Sequence, residues 1–240
     1  MSKQDVKNGE NGITILANVV VGSRLHGLHK PTSDWDYRGI HMHPVKAMIS
    51  PFQTIKNTTW IEGDDDNTSY ELTDFCKGAV HGNATYMEVF FSDQVIHSSM
   101  AHQEMRENWK KFVDTKKFVL ASQGYAQNQL NKMYLFEDEG VNGQRRTGKF
   151  VVAYIRVMWQ CAEFLRTGKF ECKIPDGEMR DFMLKVKGDW KVQYVPEAMK
   201  WFMKLQSEVS EAVGTAEMLE PDIEWIEDFI DRTYRGQDGS

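Results

Sequence analysis

The stretch Gly22-Ser23-Arg24-Leu25-His26-Gly27, continued by Ser33-Asp34-Trp35-Asp36-Tyr37-Arg38-Gly39, decides the fold of this chain. It follows an apolar run, Ile13–Val21, which predicts a buried strand. A glycine directly after a strand permits close approach of the backbone, and free N–H groups beside a small hydroxyl can hold phosphate oxygens. The sequence therefore predicts a phosphate-holding turn at Gly22 and Ser23.

Two aspartates follow this turn, with one residue between them. We predict a second strand over about Asp34–His43, and residues i and i+2 of a strand point to the same face. Asp34 and Asp36 would then place two carboxylates side by side, where they repel each other unless a cation joins them. Hard oxygen ligands suit Mg²⁺ or Mn²⁺. A phosphate-holding turn beside a carboxylate pair predicts chemistry on a nucleoside triphosphate.

Composition narrows the class of protein. The chain has 240 residues, three cysteines and a formal net charge of −6. No apolar run approaches the roughly 20 residues that cross a bilayer, and the first residues do not form a signal peptide, so we expect a cytoplasmic protein without membrane contact. The cysteines lie far apart, which predicts reduced thiols and no structural zinc site. The negative charge does not indicate nucleic-acid binding, although an uneven charge distribution would still permit it.

The chain changes character near residue 100. Before this point short apolar blocks alternate with polar turns, whereas from His102 onward apolar residues recur at spacings of three and four. Lys149–Leu165 is the clearest amphipathic helix, and Glu137–Arg146, which lacks apolar periodicity, is predicted to be a loop. We therefore expect a sheet-containing domain over residues 1–100 and a helical domain over residues 101–240.

The opening motif resembles the signature of DNA polymerase β-type nucleotidyltransferases. Its full form, with Arg24 after Gly-Ser and Arg38-Gly39 after the second aspartate, is similar to a branch that is associated with RNA ligases and RNA repair and is also encoded by bacteriophages. Weaker similarities continue to about Gly188. They comprise Asp66…Tyr70-Glu71-Leu72, Gly82-Asn83…Met87-Glu88, Gly124-Tyr125-Ala126, Lys149…Arg156 and Leu165-Arg166-Thr167-Gly168.

The resemblance implies an α+β fold, in which a polymerase β-type palm, a small mixed sheet with helices, precedes an all-helical C-terminal domain. It also implies transfer of a nucleoside monophosphate from an NTP, such as ATP, to an acceptor hydroxyl, with release of pyrophosphate. Asp34 and Asp36 would hold two Mg²⁺ or Mn²⁺ ions. A third carboxylate is expected at the metal site, with Asp66 as first choice and Glu71 as second.

Four cationic residues are candidates for contact with the triphosphate. Arg24 is expected either to contact phosphate or to pair with an aspartate. Arg38 would contact the triphosphate or neutralise the aspartates. Lys149 and Arg156, seven residues apart on one helical face, would grip a triphosphate or an RNA phosphate, or form a solvated edge.

The acceptor follows from the resemblance alone. An RNA 3′ end is expected, with tRNA as one candidate, and a phage-encoded enzyme would act in the host cytosol. Two departures bear on the acceptor, because Ala84 stands where the family commonly has proline, and Val152-Ala153-Tyr154 lacks a histidine that the family often has. Transfer of AMP to a protein or small-molecule hydroxyl is one alternative, which the acidic charge favours. A non-catalytic nucleotide-binding module is the other, and the two retained aspartates argue against it.

Overall fold

The computed structural model describes residues 12–52, 67–136 and 140–237. Its strands are β1 (Thr14–Val21), β2 (Asp36–Met42), β3 (Thr68–Glu71) and β4 (Val95–Ser98). Its helices are α1 (Gly22–Leu25), α2 (Val45–Met48), α3 (Leu72–Val80), α4 (Ala84–Phe91), α5 (Met100–Glu107), α6 (Thr115–Phe136), α7 (Gly140–Thr167), α8 (Glu178–Gly188), α9 (Val195–Val213) and α10 (Ile223–Gln237), with 3₁₀ turns at Trp109–Phe112 and Val192–Tyr194. The predicted α+β class, a small sheet with helices followed by a helical part, is confirmed.

The sheet is mixed, with the strand order β3-β2-β1-β4. Strand β1 runs antiparallel to β2 and β4, whereas β3 runs parallel to β2. The side chains of Val19 and Val21 on β1 are fully buried in the core, as expected for an apolar strand between two neighbours. The strand predicted over Ile13–Val21 is therefore confirmed, with its first residue at Thr14.

Strand β2 begins at Asp36, so the predicted strand Asp34–His43 is wrong at its start. The ladder between β1 and β2 ends at the pair Val21 and Asp36, because Gly22 turns the chain with a φ of +68°. The carbonyl of Asp34 accepts a hydrogen bond from Arg24 Nε at 3.3 Å. Asp34 therefore lies in the loop just before β2.

The helical part is arranged around α7, which packs against α6, α8 and α9. The loop predicted over Glu137–Arg146 is wrong for residues 140–146, because α7 begins at Gly140. The sequence did not reveal this helical start, since residues 140–146 show no apolar periodicity. Gly168, with a φ of +67°, directly follows Thr167, the last residue of α7.

Helix α10 packs against the sheet-containing part of the chain. The Tyr234 hydroxyl donates a hydrogen bond to the buried Glu71 carboxylate. Glu71 also caps α3, because its carboxylate accepts a hydrogen bond from the Thr73 amide at 2.7 Å. The domain boundary near residue 100 stays a prediction, and α10 packs across it.

Cys76, Cys161 and Cys172 are buried and separate from one another. Burial raises the pKa of the Cys161 thiol to about 12, so this side chain is a neutral thiol near pH 7. Among the residues that the structure describes, no helix has the length and hydropathy needed to cross a membrane.

Buried His102 makes the stability of the fold depend on pH. Its Nδ1 lies 2.9 Å from the Ser98 hydroxyl and its Nε2 lies 3.3 Å from the Val89 carbonyl oxygen, and burial lowers its pKa to about 4. The unfolded chain binds this proton near pH 6.5, so stability that is present above pH 6.5 is lost as the pH falls towards 4. We expect His102 to lower the free energy of unfolding by about 2 kcal/mol between pH 7 and pH 5.

Urea unfolding at the two pH values measures this effect. Between pH 7 and pH 5, the free energy of unfolding of His102→Gln should decrease by about 2 kcal/mol less than that of the wild type. His81→Gln, at an exposed position, should show the same decrease as the wild type. His41, whose pKa is lowered to about 4 by burial and by neighbouring His43, contributes in the same direction in all three proteins. An unchanged pH dependence in folded His102→Gln would contradict the assignment.

Candidate active site

The Gly-Ser turn and the second aspartate of the motif are in direct contact. Gly22 has a φ of +68°, a conformation that glycine adopts without strain. A Cβ atom at this position would lie only 2.2 Å from Oδ2 of Asp36. The turn is closed by a hydrogen bond of 2.9 Å from the Leu28 amide to the Ser23 carbonyl. The absence of a side chain at Gly22 thus lets the Asp36 carboxylate lie against the turn.

Asp34 and Asp36 line the same cavity, which has a volume of about 440 Å³ and is also lined by Ser23. Asp34 is exposed and Asp36 is half-buried. The structure therefore brings both carboxylates and the serine of the turn to one space, although Asp34 lies outside the strand. Two carboxylates are the hard oxygen donors that Mg²⁺ and Mn²⁺ prefer, and Asp36 is positioned by its contact with Gly22. This donor set fits a divalent cation.

The two candidates for a third carboxylate have different outcomes. Asp66 lies outside the described residues. Glu71 follows Tyr70, whose hydroxyl accepts a hydrogen bond of 3.0 Å from Arg38 Nη1 on the same face of the sheet as Asp36. Because successive strand residues point to opposite faces, Glu71 points away from the aspartates, and the structure does not bring it to them. Across the described part of the chain, no group of three or more His, Cys, Asp or Glu side chains is placed to hold a metal.

Arg24 positions the loop that carries Asp34. Its Nη2 donates a hydrogen bond of 2.6 Å to the Ser33 carbonyl and its Nε one of 3.3 Å to the Asp34 carbonyl. Its guanidinium lies 4.0 Å from the centre of the Trp35 ring. The contacts of Arg24 are thus with backbone and ring, whereas the sequence predicted a phosphate or a carboxylate partner.

A close contact between α7 and α8 places two lysines at the site. A Cβ atom at Gly148 would lie 2.1 Å from the Val186 carbonyl oxygen, so the glycine allows the helices to touch. The next residues, Lys149 and Lys187, line the cavity that holds the aspartates, together with Lys30. The pKa of Lys187 is lowered by burial and by nearby Lys149, and less by Lys30. Such a cluster favours an anionic ligand.

Sequence reasoning missed Lys30 and Lys187. Lys30 lies between the two halves of the motif, and this position was the signal that could have identified it. Nothing in the sequence of α8 distinguishes Lys187, whose Nζ donates a hydrogen bond of 2.9 Å to the Leu28 carbonyl.

A buried ionic cluster lies behind the Gly-Ser turn. Glu88 is 5% exposed, and its Oε1 lies 2.8 Å from Arg156 Nη1 and 3.2 Å from His26 Nε2. Arg156 Nη1 also donates to Gln160 Oε1 at 3.0 Å, and His26 Nδ1 lies 2.9 Å from the Cys172 carbonyl oxygen. Burial opposes ionisation of Glu88, yet His26 and Arg156 hold its pKa well below the usual range. The sequence had indicated Glu88 only as part of a motif.

The site is a cleft with two arms that meet at a junction. The polar arm is the cavity of about 440 Å³, with Lys30 and Asp34 on its wall. The mixed arm is a cavity of about 500 Å³ that combines apolar, aromatic and charged side chains. The residues that line the mixed arm alone include Arg38, Thr85, Glu88, Tyr125, Val152, Ala153 and Arg156. The junction, which belongs to both arms, consists of Ser23, Asp36, Lys149 and Lys187.

Comparison with known proteins relates the chain to a family and to a protein of another organism. Residues 4–232 match the family model described as the RNA repair pathway DNA polymerase beta family. A stretch of 94 residues is 32% identical to an uncharacterized protein of Methanocaldococcus jannaschii. The latter match covers 37% of each chain.

Proposed function

The chain belongs to the RNA repair pathway DNA polymerase beta family, and from this membership we propose that it transfers a nucleoside monophosphate from an NTP to the 3′ hydroxyl of an RNA. Membership of this family supports a polymerase β-type nucleotidyltransferase of RNA repair. The proposal adds the acceptor end, the divalent cations and the residues that act. A tRNA acceptor and a bacteriophage origin stay predictions.

The observation that supports the proposal most strongly is the close contact between the Asp36 carboxylate and the Gly-Ser turn. The 2.2 Å separation between a Cβ atom at Gly22 and Oδ2 of Asp36 puts a carboxylate beside a turn suited to phosphate. Lys149 and Lys187 lie at the same junction. The ammonium groups can bind the phosphates of a triphosphate, and the carboxylates can bind the cations that accompany it.

In the proposed reaction the oxygen of the acceptor hydroxyl forms a bond to the α-phosphorus of the NTP. The bond between the α-phosphorus and the oxygen that bridges to the β-phosphate breaks, and pyrophosphate leaves with that electron pair. The hydroxyl proton passes to a carboxylate of the site and then to water. Asp34 and Asp36, with Asp66 as the proposed third ligand, would hold two Mg²⁺ or Mn²⁺ ions. When bound, such ions lower the pKa of the attacking hydroxyl and neutralise charge on the leaving group.

The two arms suggest how the substrate lies. The lysines of the junction and Lys30 would bind the phosphates, since they concentrate positive charge at the polar arm. Tyr125, Val152 and Ala153 in the mixed arm offer the flat and apolar surface that a nucleobase packs against. The nucleoside therefore lies in the mixed arm and the triphosphate at the junction.

A labelling experiment tests the function. The purified protein is incubated with each NTP labelled at the α-phosphate, Mg²⁺ or Mn²⁺, total RNA and a protein lysate. Label on RNA that is removed by 3′ exonuclease supports the proposal. Label on protein or on a small molecule would show that the acceptor is a protein or a small molecule and not RNA. NTP binding without transfer would indicate a nucleotide-binding module.

Lys187→Met should weaken NTP binding by about tenfold, because one charged hydrogen bond to phosphate is lost. The decrease should shrink at high salt, where ionic attraction to the triphosphate is screened in both proteins. Equilibrium titration with NTP at two ionic strengths measures both effects. The matched control is Lys185→Met on the same helix, where Lys185 pairs with Glu197 at 3.6 Å on the surface. Equal affinities of the two variants would contradict the role of Lys187.

A further inference from the structure

Only one of the two carboxylate oxygens of Glu88 has a partner in the part of the chain that the structure describes. Oε1 carries both ionic contacts, with Arg156 at 2.8 Å and His26 at 3.2 Å. Among the described residues, no hydrogen bond or ion pair is made to Oε2. Oε2 is also not among the buried side-chain atoms that lack a partner, so solvent or a ligand in the cleft can reach it. Because Glu88 lines the mixed arm, a molecule bound there can supply the partner.

The chemistry of Glu88 restricts that partner to a hydrogen-bond donor. Arg156 and His26 favour the ionised form, and an ionised carboxylate only accepts hydrogen bonds. Its position is fixed from two sides, because Glu88 belongs to α4 and Arg156 belongs to α7. Arg156 is in turn held by Gln160 at 3.0 Å. A fixed acceptor of this kind selects ligands that carry a hydroxyl or an N–H group at one place.

His26 connects the Gly-Ser turn to Glu88. The His26 amide donates a hydrogen bond of 3.1 Å to the Gly22 carbonyl, and the His26 ring reaches Glu88 at 3.2 Å. Ser23 and His26 are separated by about one helical turn, or ~4.5 Å along the axis. If the phosphates of an NTP lie at the turn, the next group of the nucleotide, the ribose, reaches Glu88. The base then continues towards Tyr125 and Ala153.

We propose that Oε2 of Glu88 accepts a hydrogen bond from the ribose 2′-hydroxyl of the bound NTP and so selects ribonucleotides over 2′-deoxyribonucleotides. The inference rests on the proposed function, because it places an NTP in the cleft. It adds a selectivity that neither the motif nor the metal ligands provide. Arg156 and His26 act as positioning residues, since they hold the carboxylate and keep it charged.

Equilibrium binding of the four NTPs, their 2′-deoxy forms and their 3′-deoxy forms tests the proposal without any catalysis. The wild-type protein should bind the cognate NTP at least about tenfold more tightly than its 2′-deoxy form, the effect of one hydrogen bond to a charged group. The 3′-deoxy form should bind like the NTP. Equal affinities for NTP and 2′-deoxy NTP, or a loss confined to the 3′-deoxy form, would overturn the inference. If none of the NTPs binds, the proposed function itself fails.

Two variants connect the selectivity to Glu88. Glu88→Asp keeps the charge beside Arg156 and withdraws the carboxylate by one methylene, and Glu88→Gln keeps the shape and removes the charge. Both should bring the ratio of the two affinities close to one, mainly by weakening the NTP. The control is Glu163→Gln on α7, where Glu163 pairs with Arg166 on the surface, and it should keep the wild-type ratio.

The comparison stays informative if one variant is unstable. Thermal unfolding identifies which variant is folded. The ratio of the NTP and 2′-deoxy NTP affinities of the wild-type protein can be measured without either variant. A folded Glu88→Asp or Glu88→Gln protein that retains the wild-type preference would overturn the assignment to Glu88. Loss of the preference with unchanged affinity for the 2′-deoxy form would support it, because a general disturbance of the cleft weakens both ligands.

Discussion

Asp36→Ala should reduce nucleotidyl transfer at least about a thousandfold while the protein stays folded. Asp36 lies at the junction of the two arms and is the carboxylate that contacts the turn. Its removal takes away a carboxylate that we propose as a metal ligand, and it leaves Lys149 and Lys187 without the negative charge of Asp36 at the junction. Release of labelled pyrophosphate measures the rate, and thermal unfolding measures the fold.

The matched control for this variant is Asp189→Ala. Asp189 lies just after α8, pairs with Lys191 at 2.8 Å and lines neither arm. Its replacement should change the rate less than twofold, since an exposed ion pair contributes roughly 0–1 kcal/mol to stability. Transfer at the wild-type rate by folded Asp36→Ala protein would end the proposal that the two aspartates hold the catalytic ions.

Gly22→Ala should lower transfer by about a hundredfold, although the change adds a single methyl group. That methyl carbon would lie 2.2 Å from Oδ2 and 3.0 Å from Cγ of Asp36, so the carboxylate must move. A displacement of about 1 Å at a reacting centre costs about a hundredfold in rate. The φ of +68° adds strain, and the free energy of unfolding should fall by about 1–3 kcal/mol. Kinetics and urea unfolding report the two effects separately.

Gly168→Ala distinguishes the effect of backbone strain from the effect of a steric clash with Asp36. Gly168 has a φ of +67°, almost the same as Gly22, but a Cβ atom there would meet only Glu217 Oε2, at 3.9 Å. This variant should lose about 1 kcal/mol of stability and keep its rate of transfer. If Gly22→Ala behaved in the same way as Gly168→Ala, the contact between the turn and Asp36 would have no catalytic role.

The features that the sequence predicted correctly depend on neighbouring residues. The apolar run of β1 identifies a buried strand, because a strand that is covered on both faces is rich in apolar side chains. The turn at Gly22 and the two aspartates belong to one continuous motif, and the structure brings Ser23, Asp34 and Asp36 to one cavity, whereas their predicted roles stay predictions. Local spacing was less reliable for the start of β2, because the side chain of Arg24, rather than a neighbouring strand, binds the carbonyl of Asp34.

The features that the sequence did not reveal depend on segments that meet only in the folded chain. Glu88 and Arg156 are 68 positions apart, and no spacing rule connects them. Lys187 reaches the site because Gly148 lets α8 approach α7, with a Cβ-to-oxygen separation of 2.1 Å to Val186. Glu71 had a plausible position next to the motif, yet the alternation of β3 turns its side chain away from Asp36.

The contact between Tyr234 and Glu71 has a consequence for biosynthesis. The two residues are 163 positions apart, so the ribosome must make α10 before the hydroxyl can meet the carboxylate. A nascent chain that ends in α9 has a Glu71 side chain that caps α3 and lacks this partner. Glu71, at the end of β3, therefore gains this partner only after α10 has left the exit tunnel.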